Sequence, residues 1–132
     1  ICMNSIARTK VYDDMATKSI VMGASSHELV QLLFREFHSA LVAAEFFCEK
    51  DDKSSMKKSL GKASRILAGL QGSLDIERGG EIAENLSALY KYCITELFKV
   101  NNTSDPKTIS SIRHLIEPIS QAWTDMPDEH RR

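Results

Sequence analysis

The sequence predicts an all-α fold, an antiparallel up-down four-helix bundle led in by an irregular or short-helical N-terminal arm. Three observations predict it. Four segments repeat apolar residues at one-turn steps, each bounded by polar or turn-forming residues. No segment alternates apolar and polar residues as a half-buried strand would. With 6 Gly and 3 Pro in 132 residues, breakers are too few for a disordered or loop-rich β chain. Helices of this length on short connectors become antiparallel neighbours.

Residues 1–24 hold no sustained period and read as the arm. Tyr12, Met15 and Ile20-Val21-Met22 give it apolar grip, and Gly23 ends it. The pair Ile1-Cys2 ahead of Met3 is set aside from fold reasoning. The bundle is expected over 25–126 and a loose polar tail over 127–132.

Ser25 and Glu28 form a capping box that opens the first helix. Leu29, Leu33, Phe37, Leu41 and Ala44 follow, with Leu32, Ala40 and Phe47 beside them, until Glu49-Lys50-Asp51-Asp52 makes a charged turn. The second stripe is Met56, Leu60, Ala63, Leu67, Leu70 and Leu74, with Ile66 alongside. Gly69 and Gly72 lie inside it, each costing about 1 kcal/mol against Ala while permitting a close backbone approach. Gly79-Gly80 is the strongest turn signal and is expected to join the two middle helices. The third stripe is Ile82, Leu86, Leu89, Tyr90, Cys93 and Leu97, ending near Asn101-Asn102. The fourth opens at Ser104 or Asp105 with Pro106 at its first position, where a missing N–H costs nothing. Ile109, Ile112, Ile116, Ile119 and Trp123 follow, and Pro118 among them predicts a kink or break.

Composition excludes several functions. Seventeen Lys and Arg against 18 Asp and Glu leave no positive excess to neutralise phosphates, so no nucleic acid is expected as partner. No apolar run approaches the ~20 residues that span a bilayer, so no membrane insertion is expected, and no signal-peptide pattern is seen. Cys2, Cys48 and Cys93 are odd in number and scattered, which fits a reducing cytoplasm rather than a disulfide framework. His27, His38, His114 and His130 are scattered too, with no Glu-x-x-His pair and no zinc spacing, so no metal and no cofactor is expected. Cys48 and Cys93 fall on or beside apolar stripes, where cysteine serves as a small hydrophobe. No glycine loop cradles a phosphate, and no nucleophile has a base beside it. Lys53, Lys57, Lys58, Lys62 and Arg65 read as a solvated face. The chain is expected not to be an enzyme.

One string is specific. Lys62-Ala63, Ile66-Leu67, Leu70, Ser73-Leu74-Asp75 and Glu77 lead into Gly79-Gly80-Glu81-Ile82-Ala83-Glu84-Asn85-Leu86 and Leu89-Tyr90-Lys91-Tyr92. Together they closely resemble the flagellin-specific export chaperone family, FliS. Val21-Met22, Ala24-Ser25, Glu28-Leu29 and Leu33-Phe34 extend the resemblance upstream to Tyr12, and Ala122-Trp123 extends it downstream. Three positions depart from the family pattern: Phe34 where Tyr is usual, Thr9 where an apolar residue precedes Tyr12, and Pro118.

The resemblance implies a cytoplasmic export chaperone that binds the disordered C-terminal segment of flagellin. Such a chaperone prevents premature polymerisation and delivers its cargo to the flagellar type III export gate. It also implies a groove that the N-terminal arm can cover. The residues make physical sense for this work, because a segment that orders on binding needs extended apolar contact. The first helix carries more apolar side chains than one buried stripe uses. Tyr12, Ile20 and Val21 are the candidates for the movable arm. Leu29, Leu33, Phe37, Ile66, Leu70 and Leu74 are the candidates for apolar surface near the groove, with Tyr90 bracing or lining it. Leu86, Leu89 and Trp123 are expected in the core. The same apolar residues would also suit core filling or a homodimer of the free chain. Two other readings of a small helical bundle stand beside this one: a histidine phosphotransfer domain and a self-assembling structural module. Against the former, His38 and His114 lack the following Lys and Gly, and Glu117 near His114 would repel a phosphate.

Overall fold

Aspartate side chains set where three of the four helices begin. The computed structural model describes residues 26–127. Helix α1 spans Ser26–Glu49, α2 Lys53–Gly72, α3 Ile76–Thr103 and α4 Pro106–Thr124. Asp52 caps α2 by accepting the Ser55 N–H at 3.1 Å, and Asp75 caps α3 through the Arg78 N–H at 3.1 Å. Asp105 caps α4 through the Lys107 N–H at 3.0 Å, one residue ahead of Pro106. Each cap satisfies a backbone donor that the helix cannot satisfy itself. No strand occurs among the described residues, and the all-α bundle expected from the periodicity is what forms.

The core is the inward stripe of every helix. Leu33, Phe37, Leu41 and Ala44 of α1 meet Met56, Leu60, Ala63, Ile66 and Leu67 of α2. Cys93, Leu97 and Val100 of α3 and Ile109, Ile112 and Ile116 of α4 close the interior. Full burial of each large aliphatic side chain contributes about 1.5–3 kcal/mol. The helices form a ring in which α1 packs on α2 and α4, and α3 packs on α2 and α4, while the diagonal pairs do not approach. His27 near the start of α1 meets Trp123 near the end of α4, whereas Cys48 near the end of α1 meets Ser104 just before α4. These two helices therefore run in opposite directions. The α3–α4 seam is the slightest of the four.

Two local expectations need correction, the inter-helix turn at Gly79-Gly80 and the break at Pro118. The link between the middle helices is the segment 73–75, because Asp75 caps α3 before the glycines are reached. Gly79-Gly80 instead bends the start of α3: Gly80 sits at φ 54°, ψ −129°, a conformation side chains oppose. At Gly79 a Cβ would lie 2.7 Å from that of Ala83, so a side chain there would collide. Helix α3 ends at Thr103, next to Asn101-Asn102 as expected, and the left-handed residue that closes it is Ser104, at φ 53°. Helix α4 passes through Pro118 without a break. Pro118 and His114 face solvent, so the carbonyl left without its N–H donor is not sealed in the core. The Ser25 half of the capping box, the arm over 1–24 and the last five residues lie outside the described residues.

Candidate functional site

One end of the ring is unfilled. The start of α1, the end of α2, the start of α3 and the end of α4 surround a groove of about 570 Å³. Leu29, Val30 and Phe34 line it from α1, Leu70 and Leu74 from α2 and its end. Ile82, Ala83, Leu86 and Tyr90 line it from α3, and Ile119, Trp123 and Met126 from α4 and beyond. Beside the Tyr90 hydroxyl and the Trp123 indole, polar side chains stand at Ser26, Ser73 and Asp75. The opening follows from the slight α3–α4 seam and from the bend at Gly80, which carries the first turn of α3 and Gly79 into the groove wall. Ile82 is 73% exposed there. Such a surface is unfavourable in water and gains roughly 25 cal/mol per Å² when covered.

A clasp holds the groove's α1–α4 side. The Trp123 indole N–H donates to the His27 carbonyl at 3.0 Å. The His27 Nε2 lies 2.8 Å from the Trp123 carbonyl; a carbonyl only accepts, so Nε2 carries the proton. The two rings stack with centroids 4.9 Å apart and planes 10° from parallel. His27 is buried, and its Nδ1 has no hydrogen-bond partner among the described residues. Lower on the same helix pair, Arg113 donates to Glu45 at 2.8 Å, a partly buried pair that fixes the register of α4.

The expected site residues divide cleanly. Leu29, Leu70, Leu74 and Tyr90 come together on the groove. Leu33, Phe37 and Ile66 do not present surface to it: they are 0%, 2% and 0% exposed, inside the core. Their stripe points to the bundle axis, and only where the helices part does it meet a cavity. Tyr12, Ile20 and Val21 lie outside the described residues. Leu86 and Trp123, expected as core, are groove lining, and Leu89 is partly buried against the core. The sequence reading also missed Ile82, Ile119 and Met126. A signal for Ile82 existed, since a large aliphatic two residues after a glycine pair sits where the helix is bent.

The site is chemically quiet. Burial pushes the Tyr90 phenol up to about 12, with the neighbouring Cys93 adding to it, so Tyr90 stays a neutral donor. Burial likewise pushes the Cys93 thiol up to about 11, which makes it unreactive. No cluster of three or more His, Cys, Asp and Glu able to hold a metal occurs among the described residues. His114 turns its Nδ1 back on its own helix, 2.8 Å from the Ser110 carbonyl. No helix among the described residues is long and apolar enough to cross a membrane.

The family model described as flagellar protein FliS matches residues 8–130. The chain belongs to the FliS family. It is 40% identical over 122 residues to the flagellar secretion chaperone FliS of Salmonella typhimurium, covering 92% of this chain and 90% of that one. It is 36% identical over 118 residues to the flagellar secretion chaperone FliS of Escherichia coli K12, covering 89% and 87%. With the flagellar secretion chaperone FliSB of Pseudomonas aeruginosa it shares 31% over 121 residues, covering 92% and 96%. FliS is a family of flagellar secretion chaperones, not of enzymes. That membership displaces the phosphotransfer and structural-module readings.

Proposed function

We propose that this FliS chain binds the C-terminal segment of flagellin in the end groove, keeps it from polymerising in the cytoplasm and hands it to the flagellar type III export gate. The observation that carries this reading is the groove itself, an apolar volume of about 570 Å³ that the described side chains leave unfilled. A disordered segment that orders on binding needs such contact to offset its entropy loss. Leu29, Leu70, Leu74 and Tyr90, with Ile82, Leu86, Ile119 and Trp123, take the apolar anchors of the segment, while Leu33, Phe37 and Ile66 hold the floor beneath. The arm carrying Tyr12, Ile20 and Val21 covers the groove when no substrate is present, and a homodimer of the free chain would cover it equally well. Support for the arm is its point of entry: Ser26, where the described chain begins, stands on the groove's rim.

Titration calorimetry of the whole chain with a flagellin C-terminal peptide tests this. A defined 1:1 complex with a large negative heat-capacity change is the expected result, because apolar surface is being covered. Deleting residues 1–24 should then alter the affinity. No heat, together with an unchanged solution mass on adding the peptide, would end the proposal.

A further inference from the structure

We propose that the Tyr90 hydroxyl is a hydrogen-bond anchor of the groove, donating to a main-chain carbonyl of the bound segment and so setting its register. The inference rests on the substrate reading above and adds a polar contact to a site otherwise described by its apolar lining.

Tyr90 is 3% exposed and its side chain lines the groove. Its hydroxyl makes no hydrogen bond to any described residue. A buried phenol normally has a partner, because taking its O–H out of water uncompensated is costly. In the free groove water can take that O–H, and a segment that displaces the water has to replace the bond. Among the described residues the sealed side-chain polar atoms without partners are His27 Nδ1 and Asn101 Oδ1, and the Tyr90 oxygen is not one of them. It is therefore reachable from the groove, and none of the groove's described residues, Ser26, Ser73 and Asp75 included, accepts a hydrogen bond from it.

The chemistry of the missing partner follows from that of the phenol. Burial keeps Tyr90 protonated across the physiological range, so it donates. The acceptor must be an oxygen brought in by the ligand. A carboxylate would have to shed its water among leucines and phenylalanines, at a cost one phenol does not offset. A main-chain carbonyl carries no net charge, and it is free where a docked helix ends or the segment runs extended. A segment seated one turn out of register would put an apolar side chain against the hydroxyl and lose this bond.

The test is calorimetry with the full chain, its Tyr90→Phe variant and a flagellin C-terminal peptide, alongside urea unfolding of the two free proteins. Tyr90→Phe is expected to bind about tenfold more weakly, which is about 1.4 kcal/mol, with the free variant as stable as the parent or more so. The opposed signs separate an anchor for a ligand from an internal brace, which would lower the stability of the free protein. If the parent binds and Tyr90→Phe binds equally well, the anchor is refuted while the substrate reading stands. A clear loss of stability in the free variant also refutes it, by showing an internal partner. Failure of the parent to bind refutes the substrate reading and the anchor with it.

Discussion

The two ends of this bundle are built from the same four helices and finished in opposite ways. At the closed end, α1 stops in a tight hydrogen-bonded turn: the Asp52 N–H reaches the Phe47 carbonyl at 2.9 Å and the Asp51 N–H that of Cys48 at 3.1 Å. Asp51 takes the left-handed φ of 59° that this helix ending requires. Ser104 ends α3 the same way, and its carbonyl accepts from the Cys48 thiol at 3.3 Å. Only about 10 Å³ is left between Phe47, Met56 and Ser104, room for one water at most. At the open end the groove is some fifty times larger, on the order of that ratio by the two volumes, and its walls are leucine, isoleucine, phenylalanine and tryptophan. Short αL turns draw the helices together at one end, whereas the Gly80 bend and the slight α3–α4 seam part them at the other. Packing makes one end core and leaves the other an open apolar groove.

Charge substitution exposes this contrast most sharply. Leu33→Asp buries a carboxylate in the core and should abolish cooperative folding, seen as loss of helical circular dichroism. Combining Leu74→Asp with Ile82→Asp at the groove should leave the helical signal intact yet weaken peptide binding at least about 100-fold, since each residue gives up about 1.5–3 kcal/mol of burial. Equal effects at both places would erase the distinction. The clasp is the next test. Trp123→Phe keeps a stacked ring but removes the indole donor to the His27 carbonyl, which should cost about 1–2 kcal/mol in urea unfolding. No change would show that α1 and α4 are held without it.

The smallest effect is alkaline. The Cys93 thiol is raised from 9.0 to about 11 in the fold and the Tyr90 phenol from 10.0 to about 12. Above pH 9 the unfolded chain loses these protons first. Stability is therefore complete below that pH and falls as pH rises through the window from 9 to 12. From pH 8 to 10 the Cys93 share is on the order of 1 kcal/mol. Cys93→Ala should flatten that part of the slope, and an unaltered slope would move the alkaline sensitivity elsewhere.

The helices were legible because their signals are local. Asp52, Asp75 and Asp105 stand immediately before stripes of 3.6-residue period, and Pro106 marks a first turn, so each element could be placed from neighbours in the chain. The glycine pair was legible as a disturbance but not as a bend, because Asp75 outcompetes it for the helix start. Three of the seven described candidates, Leu33, Phe37 and Ile66, lie in the core rather than on the groove, for one reason. Leu29 and Leu33 are one turn apart on the same stripe, and nothing in their spacing says that the first meets a groove and the second a core.

By itself, the sequence determined the helical class, the order of the elements and, through the Gly79 to Tyr92 string, the family. Periodicity, caps and motifs all act within a few turns of one helix, so one chain read in order is enough for them. Where the ring closes and where it gapes was decided only by the tertiary structure. That depends on how four separate helices converge, which leaves Leu86 and Ile82 lining open space while Leu33 and Ile66 are sealed.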